Sequence, residues 1–363
     1  MATNMNYRYK LDPGSTKFTC PGCGQRRFVR YIDTEINDYL SEKYGRCDRE
    51  INCGYHRHPY SKELGYRSGR YCKTIRNTLK PKPCNPLYPI PIEVLQDTLQ
   101  YYQKNQFVQN LLHNVLYPFN KEDIEMVIAQ YYVGTIDRGA GRRRGTMRGY
   151  VTTFPFIDYH NNLRAIQAKQ FDPRNHTYWT GFVHSIIESK CVRHGHPIPE
   201  WISRYKDNES KVSCLFGEHL LSKYPYNPVA LVEAPKTAII GTLYFGFPQE
   251  AHNMLWLATG SLGYLTYERC RRLAGRDVYL FPDLSLDGIA YRKWNKCAFE
   301  LKNKLSGTRC TMSNLLEGSA NEQDRFSGYD LADYLIQLDW RKFRHKEHSI
   351  QWEECENWES DII

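Results

Sequence analysis

Short apolar runs that end in a carboxylate or a glycine set the pattern of the second half of the chain. Val229-Ala-Leu-Val leads into Glu233, Met254-Leu-Trp-Leu-Ala-Thr into Gly260, and Val278-Tyr-Leu-Phe-Pro into Asp283. Each run has the length of a strand buried on both faces and is too short for a helix. Between them, Thr237 to Gly246 and Thr266 to Leu273 place apolar residues at helical spacing. Pro235 suits the opening turn of the first helix, and the second closes on Gly275. The order strand, helix, strand, helix, strand predicts a parallel sheet with right-handed crossovers. Ligands bind beyond the carboxyl ends of such strands, so Glu233 and Asp283 are expected to converge on one site. Converging carboxylates repel unless a hard cation neutralises them. Mg²⁺, which keeps several of its waters, suits that task, and phosphoryl or nucleotidyl transfer is the chemistry it serves. The competing reading is structural, with both acids capping a helix or a turn.

Upstream, Ile92 to Leu116 is amphipathic at helical period, with Val94, Leu95, Leu99, Phe107, Leu111 and Leu112 as core positions. Asn120 is placed to cap a following helix. The pattern then changes to strands over Tyr131 to Ile136, Tyr150 to Asp158, Leu163 to Phe171 and Tyr178 to Phe182. Between the first two lies Arg138 to Arg148, a glycine-bearing loop with five arginines. Its Arg142, Arg143 and Arg144 cluster is a candidate for nucleotide or template phosphates, and a solvated charge run is the plainer alternative. Beyond Ala290 the chain reads as mostly helical. Asp330 and Asp333 fall on one helical face, where capping is expected of them and approach to the metal site is the alternative.

The cysteines organise the other end. Cys20-Pro-Gly-Cys23 has the form of a zinc knuckle, and Cys47 and Cys53 form a less regular second half. Four thiolates from two such elements enclose Zn²⁺ tetrahedrally in a structural site. Cys20, Cys23, Cys47 and Cys53 are the favoured ligands, with a set that uses His56 in place of Cys47 as the alternative. A module this small has too little core to fold without a metal or another staple.

Charge sharpens the partner question. The formal net charge is +9. Residues 61 to 82 carry seven Lys or Arg against one Glu, whereas residues 347 to 363 carry six acids and no Lys or Arg. That asymmetry points to a polyanion partner for the basic part. No apolar run has the length to cross a bilayer and no signal-peptide core opens the chain, so a cytoplasmic protein is expected. Cysteines there serve as thiols and metal ligands rather than disulfides.

Several of these residues together resemble a family. Val-Glu233 before a helix, Ala-Thr-Gly260, and an apolar strand into Asp283 with Gly288 and Ala290 beyond are similar to the Toprim domain of primases and topoisomerases. Phe154-Pro-Phe-Ile-Asp158, Asn162-Leu-Arg-Ala, Tyr178-Trp179 and Leu215-Phe-Gly217 resemble the motifs that precede Toprim in the core of bacterial primases. Asp330-Leu-Ala-Asp333-Tyr-Leu resembles the aspartate-bearing helix closing many phage and plasmid primase-like domains. With the cysteines, most of residues 15 to 340 resembles the zinc-finger plus Toprim primase-like proteins of bacterial mobile elements.

The resemblance implies an α/β fold in which an N-terminal zinc ribbon precedes a primase-like core with a Toprim subdomain. The implied organisation is a zinc ribbon at 1–60, a basic proline-rich linker at 61–91 and a primase-like N-terminal core at 92–225. A Toprim subdomain at 226–313, a helical end at 314–346 and an acidic tail at 347–363 complete it. The implied activity is nucleotidyl transfer on single-stranded DNA with nucleoside triphosphates, alongside a helicase or replication protein. It would use structural Zn and catalytic Mg or Mn. Glu233 and Asp283 are then the catalytic acids, and Lys169 holds nucleotide or template, with Arg164 a weaker candidate. One departure is Ser285, where the family carries a second Asp; serine is neutral and a weaker ligand, and Asp287 is the residue placed to substitute. Another is Ala234 in place of a glycine. Lys236, near a helix N-terminus, is read as a phosphate contact or a solvated lysine. A DNA-binding accessory protein that keeps the fold without the chemistry, and a Toprim nuclease, are the alternative functions.

Overall fold

The computed structural model describes residues 8–49, 53–59, 88–139, 149–207 and 213–344. Most of the basic linker and the acidic tail at 347–363 lie outside the described residues, as do Arg142, Arg143 and Arg144. The chain forms two compact units, one of residues 1–83 with the short pieces 285–287 and 326–328, the other of the remainder. Among the described residues no helix is long and apolar enough to cross a membrane.

The first unit is a small antiparallel sheet of β1 (Tyr9–Leu11), β2 (Phe28–Asp33), β3 (Asp38–Tyr39), β4 (Gly45–Cys47) and β5 (His56–Arg57). Its order is β1-β2-β4-β5, with β3 also on β2. The opening stretch supplies β1. It pairs with β2 from Tyr9 opposite Asp33 to Leu11 opposite Tyr31, and Arg8 holds the Asp33 carboxylate at 2.9 Å. The buried centre is Phe28 with Cys20 and Cys47, flanked by Phe18, Cys23, Cys53 and Tyr55.

In the second unit, β6 (Gly134–Asp137), β7 (Tyr150–Ile157), β8 (Leu163–Phe171) and β9 (Thr177–Phe182) form an antiparallel sheet in sequence order. A second sheet contains β10 (Val229–Val232), β11 (Leu255–Ala258), β12 (Asp277–Phe281) and β13 (Arg309–Met312). All its pairings are parallel and its order is β11-β10-β12-β13. Every residue of β10 and β11 is buried, as their unbroken apolar runs require. The helix Pro235–Phe245 crosses from β10 to β11 and lies close against the sheet because Gly241 carries no side chain. A Cβ there would come within 2.4 Å of the Trp256 ring. Phe154, Phe156, Phe216 and Tyr131 join the two sheets. Phe216 bridges Ala258 of β11, stacks on Tyr131 at 5.3 Å and meets both β7 phenylalanines edge-on.

Two expectations need correction. Ile92 to Leu116 is not one helix but a set of short turns, Ile92–Gln96, Tyr102–Lys104, Gln106–Gln109 and Asn110–Asn114. Tyr101 turns left-handed with φ of 56°, and Asn105 caps the next turn by accepting from Val108 N. The buried Asn105 amide also donates to Gly134 O and to Thr135 Oγ1, so the break is held by a satisfied polar hub. Tyr131 belongs to the helix Lys121–Tyr131 rather than to a strand, and the left-handed Tyr132 closes that helix before β6 begins.

His219 gives this unit a pH dependence. Its Nε2 lies 3.1 Å from Gln130 O and donates to it in the neutral ring, while Nδ1 is buried with no partner. Burial pulls its pKa from 6.5 down to about 4. A depressed folded value means stability is full above 6.5 and drains as pH falls through 4, by about 3 kcal/mol at most. Thermal melts should fall across that window, and His219→Gln should flatten the fall.

Candidate active site

The parallel sheet positions the acids. The chain leaves β10 for β11 on one side and later returns to β12 on the other, so the order reverses between β10 and β12. A crevice opens at such a reversal, beyond the carboxyl ends of the two strands. Glu233 directly follows β10, and Asp283 follows β12 by two residues. Val232 and Phe281 are register partners, so both acids stand at the mouth of that crevice.

Their carboxylates are poor in donors. The backbone N–H of Leu262 favours the Glu233 anion, but Glu233 Oε2 is buried without a partner. Among the described residues no hydrogen-bond donor reaches the Asp283 carboxylate. Both side chains keep a little exposed area yet lie deep, and depth governs desolvation. Burial, with Asp330 adding repulsion, pushes Glu233 up to about 7, against the pull of Lys169. Burial and then Glu233 and Asp330 hold Asp283 well above the ordinary carboxylate range.

Two lysines face these acids. Lys169 reaches in from β8 on the same strand face as Gln167, is buried, and makes no side-chain hydrogen bond among the described residues. Burial and Lys236 lower its pKa, whereas Glu233, Asp330 and Asp283 raise it. Lys236 corrects the sequence expectation, because it is neither solvated nor open to a phosphate. Its Nζ lies 2.9 Å from Asp333 Oδ1 and 3.1 Å from Asp330 Oδ2, with all three side chains at most 9% exposed. Despite burial, the two aspartates raise its pKa, which fixes it as a cation. Asp330 and Asp333 do cap the helix Leu331–Leu335, each accepting from the other's backbone N–H. They thus serve as caps and as site residues at once.

Other candidates fall elsewhere. Ser285 is buried and Asp287 exposed on the turn after β12, and the groups acting most strongly on Asp283 do not include Asp287. Arg164 is paired at 2.6 Å with Asp158. Asp158 also accepts from the backbone of His160 and Asn162, so this motif shapes the β7–β8 turn. The pairing of Lys236 with Asp330 and Asp333 is what the sequence reading missed. Its signal was a lone lysine in Pro235–Phe245, a helix otherwise uncharged and buried nearly throughout.

In the first unit the Cys20, Cys23, Cys47 and Cys53 sulfurs lie within 4.8 Å of one another. Zn–S bonds of about 2.3 Å in a tetrahedron set sulfurs about 3.8 Å apart. Cys20 to Cys53 is 3.6 Å and Cys23 to Cys47 is 3.9 Å, so the cage fits zinc. Gly22 N donates to Cys20 Sγ, as the Pro-Gly turn requires. His56 is not part of the cage; its Nε2 is bonded to the Tyr31 hydroxyl at 3.0 Å.

Comparison with known proteins follows this division. Residues 7–65 match the family described as a zinc beta-ribbon finger, and residues 105–284 match a domain of unknown function (DUF6371). No curated protein matches the chain. Among solved structures, the primase fragment of the bacteriophage T7 primase-helicase is 11% identical, with a TM-score of 0.32 over 81% of this chain and 88% of that one. The zinc-binding and RNA polymerase domains of the Aquifex aeolicus primase are 12% identical, with a TM-score of 0.36 over 69% of this chain and 57% of that one. The DnaG primase catalytic domain bound to single-stranded DNA is 13% identical, with a TM-score of 0.31 over 61% of this chain and 80% of that one.

Proposed function

We infer that this chain is a metal-dependent, primase-like nucleotidyltransferase acting on single-stranded DNA, with a four-cysteine zinc ribbon as its accessory module. The observation that carries the reading is the pair of donor-poor carboxylates, Glu233 and Asp283, at the order reversal of a parallel sheet and beside the buried cation of Lys169. Glu233 Oε2 and the Asp283 carboxylate would hold Mg²⁺ or Mn²⁺, a hard cation that suits carboxylates. Bound there, it would supply polarisation of the phosphate oxygens and charge for the departing pyrophosphate.

The chain's own residues do the rest. Lys169 presents a positive charge to the triphosphate from the antiparallel sheet, and burial in low dielectric strengthens its pull. Glu233 and Asp283 stand on strand ends rather than on long loops, so they are held in place before substrate arrives. In the reaction a 3′-hydroxyl gives its proton to solvent and attacks the α-phosphorus, a new P–O bond forms and pyrophosphate leaves with the electron pair of the broken P–O bond. Replication or transfer of a mobile element, as the sequence resemblance implies, is the setting in which such primers are used.

Ser285 favours a second reading, a DNA-binding protein without the chemistry, because a neutral side chain stands where another acid would strengthen the site. The test is oligonucleotide synthesis from nucleoside triphosphates on mixed-sequence single-stranded DNA with Mg²⁺ or Mn²⁺. Metal-dependent, template-dependent product supports the enzyme. Salt-sensitive DNA binding without product, unchanged by Asp283→Ala, supports the second reading.

A further inference from the structure

We propose that the crevice holds a single divalent cation, because the ammonium of Lys236 permanently occupies the half of the site formed by Asp330 and Asp333. The inference rests on the metal-dependent reading above and specifies how that site is filled.

The oxygens divide the four acids into two pairs. Asp330 Oδ2 faces Lys236 Nζ at 3.1 Å, and Asp330 Oδ1 accepts from Asp333 N at 3.2 Å. Asp333 Oδ1 accepts from Lys236 Nζ at 2.9 Å, and Asp333 Oδ2 accepts from Asp330 N at 3.0 Å. Every oxygen of this pair therefore already has a donor. Recruiting either aspartate to a metal would strip the cap of a helix or leave a buried ammonium short of a partner, and both are costly. Glu233 Oε2 has no partner, and the leading influences on Asp283 are burial and neighbouring charges rather than hydrogen-bond donors. Only this second pair is free to coordinate.

Charge leads to the same count. Among the buried groups, four ionised carboxylates facing the two ammonium groups of Lys169 and Lys236 leave two negative charges, with the exposed Lys293 acting on Glu233 from outside. One divalent cation cancels them, and a second would leave the buried site with a net positive charge that nothing in the cluster offsets. A lysine here does what a second ion would do, with no dependence on metal concentration. Its stem enters from a helix whose residues Pro235 to Tyr244 are all buried, so it has no route out to solvent.

The test counts Mn²⁺ on the full-length, zinc-loaded chain by electron paramagnetic resonance and by calorimetry, with zinc content measured separately. The expected result is one Mn²⁺ in the wild type, none in Asp283→Asn over the same concentration range, and still one in Asp333→Asn. Lys236→Met, where it folds, should admit a second ion. Two Mn²⁺ in the wild type, or loss of the ion in Asp333→Asn as complete as in Asp283→Asn, would overturn the proposal and leave the metal-dependent reading standing. No Mn²⁺ in the wild type would overturn that reading, and this inference with it. Asp333→Asn changes only the charge of the side chain, so the count remains decisive if Lys236→Met does not fold.

Discussion

Glu233→Gln is expected to lower nucleotide incorporation by roughly three orders of magnitude while leaving the fold intact or slightly more stable. Glutamine keeps the shape and an oxygen for the Leu262 N–H, but removes the anion. In the folded protein that anion is a burden. Burial, with repulsion from Asp330, pushes Glu233 up to about 7, and its Oε2 has no partner. An acid whose folded value is raised costs stability when ionised, so above pH 7 the neutral amide removes a penalty. Thermal melting at pH 8 beside a rate measurement separates the two roles. A loss of rate with an unchanged or higher melting temperature is the signature of an acid kept for chemistry. A lower melting temperature with an unchanged rate would make Glu233 a structural residue.

Removing zinc should unfold the first unit. Its described buried apolar side chains are Phe28, Val29, Tyr31 and Tyr44 with Cys20 and Cys47, and a core that small does not hold a fold alone. Structural zinc contributes on the order of 10 kcal/mol or more to such modules. We expect one zinc per chain by elemental analysis, and strong chelation should abolish hydrogen-exchange protection in β2 and β4. Cys47→Ser and Cys53→Ser should have the same effect. His56→Ala should keep its zinc, since that ring is bonded to Tyr31 rather than to the cage. Zinc lost with His56 and retained without Cys47 would reverse the ligand assignment.

The sequence made some of this legible and concealed the rest for physical reasons. β8 runs from Leu163 to Phe171 as its pattern predicts, and β10 and β12 stand where their apolar runs place them. A strand buried on both faces leaves no other use for such residues. Cys20 and Cys23 were readable because the knuckle is a local device whose turn and ligands lie within a few residues. The segment after Ile92 was not, since apolar period does not register a left-handed Tyr101 or an Asn105 whose partners lie 29 and 30 residues away. Lys236 was read from its place near a helix N-terminus, yet its partner Asp333 is 97 residues distant. Local signals describe the elements, whereas the charge pairing of the site depends on where distant elements meet.

The most direct measurement of the central claim is primer synthesis on single-stranded DNA with Mg²⁺ or Mn²⁺, comparing the wild-type chain with Glu233→Gln and Asp283→Ala. We predict oligonucleotide product from the wild type that requires the metal and vanishes in both variants. Product that persists in either variant at the wild-type rate would contradict the placement of the active centre between β10 and β12.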